Sequence, residues 1–180
     1  MEIKFKKLDE KAVAPAKQHA SDAGFDLTCV GVSTVRNECG QVLLVYHTGL
    51  AIEIPEGYVG LLFPRSSIYK KSLAMSNAVG VLDSNYRGEV MAIMRNTTDV
   101  IPAIYKDGDR FAQLVIVKLP EVEGFVEAEE LSETERGIAG FGSTDIEKEN
   151  KENEIKDSAD KATDQSNEAS EDSSVKESAE

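Results

Sequence analysis

Gln41-Val-Leu-Leu-Val-Tyr46, Leu50-Ala-Ile-Glu-Ile54 and Tyr58-Val-Gly-Leu-Leu-Phe63 follow one another with few residues between them. Each run is rich in β-branched, aliphatic or aromatic residues and too short for an ordinary helix. Pro55-Glu56-Gly57 places a turn between the second and third. The stretch reads as three strands, and the rest of residues 1–145 repeats its grammar. Ile3 and Phe5 alternate with lysines. Glu89–Arg95 and Arg110–Leu119 are further strands, with Lys106-Asp107-Gly108-Asp109 as a turn before the second. Val122–Val126 is a last candidate strand. One short helix is expected, over about Ser66–Ser76. Many short strands at this spacing point to a mainly β sandwich or barrel. About 145 residues can enclose one core.

Charge marks a boundary. The chain of 180 residues carries 20 Lys+Arg against 33 Asp+Glu, a formal net charge of −13. Residues 146–180 hold 12 acids and 5 bases, so over half of that net charge lies in the last fifth of the chain. This segment has no aromatic residue and only three Ile/Val. It cannot bury enough apolar surface to offset its ordering entropy, and a disordered acidic tail is expected, with weak helix formation around 147–162. It is either a solvated spacer or a docking tail for an unknown protein partner.

The acidic balance disfavours sequence-independent binding to nucleic acid or to an anionic membrane, both of which need a basic face. No apolar run approaches the roughly 20 residues of a membrane span. The N-terminal MEIKFKKLDEK has no apolar core, so no secretory signal is expected. A cytoplasmic protein follows, in which Cys29 and Cys39 are reduced thiols. Two Cys and the distant His19 and His47 do not make a zinc spacing.

Five polar or glycine-containing segments interrupt the β pattern. They are Asp22-Ala-Gly-Phe-Asp-Leu27, Pro64-Arg-Ser-Ser-Ile68, Asn77 with Gly80-Val-Leu-Asp-Ser-Asn-Tyr-Arg-Gly-Glu89, Gly108-Asp-Arg-Phe-Ala-Gln-Leu114, and Arg136-Gly-Ile-Ala-Gly-Phe-Gly-Ser-Thr144. Read singly, the first is a turn, Arg65 a surface cation, Gly108-Asp109 a hairpin closure and the last a flexible end. Read as a set, they suit a phosphorylated ligand. Arg65, Arg110 and Arg136 offer charge with planar donors. Ser66, Ser67, Gly142, Ser143 and Thr144 offer hydroxyl or main-chain donors. No GxxxxGK[ST] is present, which excludes a Walker-type phosphate loop.

In this order the five segments closely resemble the motifs of the trimeric dUTPase family (deoxyuridine 5′-triphosphate nucleotidohydrolases). The resemblance covers residues 3–144. Its most specific parts are the Leu82-Asp-x-x-Tyr-Arg-Gly-Glu89 hairpin and the terminal Arg136–Thr144 segment. It implies a jelly-roll β-barrel over residues 1–145, assembling as a homotrimer. It also implies Mg2+-dependent hydrolysis of dUTP to dUMP and pyrophosphate, which limits uracil incorporation into DNA and supplies dUMP for dTMP synthesis.

The implied roles follow residue by residue. Asp83 activates the water that attacks the α-phosphorus; otherwise it is a turn aspartate. Tyr86 packs on the deoxyribose and excludes a 2′-hydroxyl; otherwise it is a strand-edge aromatic. Asn77 and the backbone around Val81, Leu82 and Met91 form the uracil pocket, unless Asn77 only caps a turn. Asp26 holds Mg2+ through water, the metal resting mainly on the phosphates; otherwise it caps a turn. Arg65, Ser66, Ser67 and Gln113 meet the phosphates, although Gln113 also fits a buried structural amide. Arg136 and Phe141 belong to a lid, over the γ-phosphate and the uracil face respectively, with Gly142, Ser143 and Thr144 beside them. By the same resemblance one subunit brings the Asp83 hairpin, a second Arg65 and Gln113, and a third the lid.

Two departures stand out. Arg65-Ser66-Ser67 replaces the common Arg-Ser-Gly, and the chain continues past Thr144. The rival readings are a dCTP deaminase and a regulatory protein-binding module on the same fold. The deaminase needs a glutamate at the position of Ile93, which has no proton to exchange.

Overall fold

The structure is a computed structural model, and it describes residues 1–139. Among the described residues nine strands form: β1 (Lys4–Lys7), β2 (Phe25–Thr28), β3 (Gly31–Arg36), β4 (Val42–Glu53), β5 (Tyr58–Pro64), β6 (Leu73–Met75), β7 (Gly80–Leu82), β8 (Glu89–Asn96) and β9 (Arg110–Lys118). They make two antiparallel sheets. One runs β1-β4-β8-β6, with β3 also on β4; the other runs β2-β9-β5-β7. The mainly β, jelly-roll reading holds: two sheets enclose one core, fed by alternate residues of each strand. In β8 the inward set is Val90, Ala92 and Met94. Leu27, Leu62, Phe111 and Leu114 face them from the other sheet within a single buried cluster. Tyr46 stacks on Phe111 with centroids 5.4 Å apart, and Tyr105 meets Tyr46 edge-on at 5.6 Å.

The deciding stretch differs from expectation in one respect. The two runs expected as separate strands are one strand, β4. Its register on β8 shifts between His47 and Ala51. The irregularity satisfies its own polar groups. Buried Thr48 donates from Oγ1 to the Val90 carbonyl (2.7 Å) and accepts from the Leu50 amide (3.1 Å). Glu89 accepts from the Gly49 amide at 2.8 Å, and its other oxygen lies 3.1 Å from His47 Nδ1. Hydrogen bonds thus carry the chain through a break that would otherwise split the strand.

Two further expectations are corrected. The helix spans only Ser66–Lys71 and is 3-10, because Ser72 adopts a left-handed conformation (φ 52°) that ends it. Leu73 and Met75 then bury alternate side chains as β6. Val122–Val126 is not a strand: no described strand pairs with it, and Val122, Phe125 and Val126 are exposed. An apolar run without a paired edge has no ladder to join. Cys29 is buried, Cys39 is exposed, and the two are not bridged. Among the described residues no helix is long and apolar enough to cross a membrane.

The chain divides into two units, Met1–Gly124 and Phe125–Glu180. Within the second, the described residues are exposed and hold a turn in which the Gly137 amide donates to the Thr134 carbonyl at 3.0 Å. The acidic tail expected over 146–180 lies outside the described residues.

Candidate active site

Residues 80–89 link the two sheets. β7 pairs with β5 in one, and β8 with β4 in the other. Between them Asp83, Ser84, Asn85 and Tyr86 make a turn closed by the Tyr86 amide on the Asp83 carbonyl (3.1 Å). Arg87 braces it by donating to the carbonyls of Ser84 and Tyr86, at 2.6 and 2.8 Å. The sequence folds this way because short polar residues accept turn geometry while Leu82 and Val90 on either side are drawn into the core.

This hairpin encloses a cavity of about 460 Å3, whose lining includes Asn77, Val81, Leu82, Asp83, Tyr86 and Met91. The sequence assigns Asn77, Val81, Leu82 and Met91 to the base, Tyr86 to the sugar and Asp83 to the attacking water, and the structure brings these six to one cavity. Asp83 is exposed at the cavity, and its carboxylate makes no ion pair among the described residues. Tyr86 is held by its hydroxyl, which donates to the Glu89 carbonyl at 2.9 Å. The hydroxyl end of its ring comes close to Gly88, where a Cβ would lie 2.6 Å from the Tyr86 Cζ. Glycine is therefore required there for close approach. Asn77 sits on a tight loop in which Ala78 has φ 58°, a left-handed conformation uncommon outside glycine. Ile93 also lines the cavity.

A second group assembles elsewhere. Asp26 on β2 sits beside Gln113 on β9, and Gln113 beside Phe63 on β5. Both carboxylate oxygens of Asp26 are taken: Arg65 Nε lies 2.9 Å from one, and a terminal nitrogen of Arg110 lies 2.8 Å from the other. Arg110 also donates to Gln18 Oε1 at 3.0 Å. One carboxylate thus fixes two guanidinium groups and leaves a net positive cluster for an anion. Gln113 donates from Nε2 to the Pro64 carbonyl at 3.2 Å. Gly24 accommodates it, since a Cβ at residue 24 would lie 2.7 Å from Gln113 Oε1 and 3.1 Å from its Cβ.

Asp26, Arg65, Ser66 and Gln113 line a cavity of about 260 Å3. Arg65, Ser67 and Arg110 line another of about 330 Å3. Neither shares a lining residue with the hairpin cavity. Of the lid residues, Arg136 is exposed and donates to the Ala139 carbonyl at 3.0 Å. Phe141, Gly142, Ser143 and Thr144 lie outside the described residues.

Sequence reading missed two contributors. Glu89 was a motif residue without a role, and it anchors the start of β8 beneath the hairpin. Gln18 supports Arg110 from far along the chain, and no local signal marks it.

The wider protein record matches this geometry. The family model for dUTPase matches residues 10–145. A deoxyuridine 5′-triphosphate nucleotidohydrolase of Hydrogenobaculum sp. is 43% identical over 145 residues, covering 80% of this chain and 98% of that one. A phage 80alpha dUTPase structure superposes with a TM-score of 0.65 at 30% identity, covering 79% of this chain and 98% of that one. A dUTPase from phage phi11 of S. aureus, in which a structural Mg(II) ion is coordinated, superposes with a TM-score of 0.59 at 28% identity over 72% of this chain and 98% of that one. Motifs, fold and relatives agree, and the chain belongs to the dUTPase family.

Proposed function

We propose that this chain hydrolyses dUTP to dUMP and pyrophosphate by attack of water at the α-phosphorus. The observation that carries the reading is the hairpin cavity: an exposed carboxylate, Asp83, beside a fixed backbone edge and a flat aromatic ring. Uracil presents a donor at N3 between two acceptors, and the main chain around Val81 and Leu82 supplies the complementary edge. Tyr86 covers the deoxyribose and leaves no room for a 2′-hydroxyl. Asp83 orients a water and takes its proton as the oxygen bonds to the α-phosphorus. The bond from that phosphorus to the bridging oxygen breaks, and pyrophosphate leaves.

Arg65, Ser66, Ser67 and Gln113 hold the phosphates and disperse the charge that develops there. Arg136, Phe141, Gly142, Ser143 and Thr144 close over the nucleotide. The hairpin and the arginine cluster line separate cavities, which supports a homotrimer whose sites draw on different subunits. Ile93 in the hairpin cavity supports hydrolysis over deamination.

Magnesium is part of this reading. Among the described residues no group of three or more His, Cys, Asp or Glu side chains is placed to hold an ion. Asp26 has both oxygens engaged by arginines. That donor set does not suit direct, all-protein coordination, but it fits an ion that arrives on the triphosphate and meets Asp26 through water. When bound, the ion would neutralise phosphate charge and fix the chain's conformation.

We assign the catalytic unit to residues 1–145 and place the enzyme in the cytoplasm, where it keeps uracil out of DNA and provides dUMP for dTMP synthesis. Residues 146–180 are an acidic appendage, and truncation after Asp145 leaves turnover intact. Product analysis with each nucleotide in turn tests the whole reading. dUTP should yield dUMP and pyrophosphate at least about 10²-fold faster than dTTP, dCTP or UTP react. Ammonia from dCTP, or equal turnover of dCTP and dUTP, contradicts it.

A further inference from the structure

Tyr105 lies just before β9, with 3% of its surface exposed. Its ring is fixed by Tyr46 and by Phe111, with centroids at 5.6 and 6.3 Å, and Lys71 Nζ stands 5.0 Å from its centre. These contacts would serve phenylalanine equally well. The hydroxyl is what sets tyrosine apart, and it is the one buried side-chain polar atom without a hydrogen-bond partner among the described residues. A buried donor left unmade is costly, so its presence asks for a partner that another state supplies.

The surroundings identify that state. Tyr105 shares its cavity with Arg65, Ser67, Lys71, Asp109 and Arg110. Burial raises the Tyr105 pKa, while Ser67 and the Arg65 charge lower it and Asp109 raises it again. Asp109 is itself engaged, accepting from the Lys106 amide at 2.9 Å. Asp26 takes one unit of the arginines' charge. The cavity remains cationic and suits a phosphate.

Donor counting then fixes the direction. A serine hydroxyl has one proton and two acceptor lone pairs, and phosphate oxygens only accept. When Ser67 gives its proton to a phosphate, no proton of its own points back at Tyr105, and its oxygen has lone pairs to accept with. We propose that Tyr105 is a positioning residue: its buried hydroxyl donates to Ser67 Oγ, so that the Ser67 proton is directed at a phosphate oxygen of the bound nucleotide. The row Tyr105 to Ser67 to phosphate gives a partner to a hydroxyl that has none in the free protein. A chain of this kind polarises each of its members. This inference rests on the reading of Ser67 as a phosphate contact.

A double-mutant cycle with Tyr105→Phe and Ser67→Ala tests it, reading the Kd of a non-hydrolysable imido analogue of dUTP and the Tm of the free protein. Tyr105→Phe should leave the free protein as stable or more stable, since an unpaired buried hydroxyl is gone. Its Kd should rise about 5- to 10-fold, the equivalent of one hydrogen bond. With Ser67→Ala already present, Tyr105→Phe should add nothing. An unchanged Kd in Tyr105→Phe overturns the proposal. So does a double variant whose loss is the product of the two single losses, or a Tyr105→Phe protein that loses Tm without ligand. Failure of the unaltered enzyme to bind the analogue is a separate result, and it sinks the site reading itself.

Discussion

The hairpin and the arginine cluster are built on opposite plans. Asp83, Tyr86 and their neighbours are nearly consecutive in sequence, and the cavity they shape is lined largely by one loop and the strands beside it. The cluster joins Asp26 to Arg110 across 84 positions and to Arg65 from a third segment. The hairpin leaves its carboxylate unpaired, whereas the cluster buries its carboxylate between two cations; the Asp26 side chain is 16% exposed. A reacting group has to be accessible, whereas a scaffold for an anion has to be rigid. The first region therefore reads as chemistry and the second as grip.

Substitutions that separate chemistry from grip break or sharpen this contrast. The largest effect belongs to Asp83→Asn. Shape and binding persist, while turnover falls by about 10²–10⁴-fold, the usual worth of a general base. Near-normal kcat in the purified variant removes Asp83 from the chemistry. Arg65→Lys should fall next, by about 10-fold or more in kcat/KM. Lysine keeps the charge but loses the planar fork that binds Asp26 while facing a phosphate.

Two glycines give a sharper comparison, because each supports one region only. Gly88→Ala drives a methyl into the Tyr86 ring and should relax discrimination between dUTP and UTP by about 10-fold. Gly24→Ala displaces Gln113 from the Pro64 carbonyl, at about 1–3 kcal/mol of stability. It should weaken triphosphate binding without altering sugar selectivity. If both variants change the same parameter, the division fails.

The contrast also explains what was legible in the sequence. β5, β8, β9 and the hairpin could be read because alternation and turn residues are local signals. β3 could not, because most of Gly31–Arg36 is exposed and shows no buried alternation. β2 was hidden inside a polar motif. The run Val122–Val126 has strand composition but no partner, a tertiary matter that no local pattern records. The site residues were legible as motifs, yet nothing local showed Asp26 shared between two arginines. Nor did it show the unpaired hydroxyl of Tyr105 in a cavity that Ser67 also lines, since long-range contacts decide both.

A further effect lies in the core, outside both regions, and leaves turnover near neutral pH untouched. Burial raises the pKa of Cys29, Tyr46 and Tyr105 above ordinary values of 9.0, 10.0 and 10.0. The unfolded chain therefore releases these protons first. Stability from these groups is complete below about pH 9 and declines as pH rises further, by up to about 1.4 kcal/mol per pH unit for each group. Urea unfolding between pH 8 and 11 measures the slope, and a flat profile to pH 11 contradicts the burial argument.

Subunit mixing tests the central claim most directly, namely that the two regions meet only between copies of the chain. Asp83→Asn and Arg65→Ala proteins, each inactive alone, are dissociated, mixed and reassembled, and mixed oligomers are verified by mass. In some of their sites an intact hairpin from one copy meets an intact cluster from another, so dUTP turnover should reappear at a fraction of the unaltered rate. Verified mixed oligomers that remain as inactive as either parent would place both regions in one subunit's site and contradict the account.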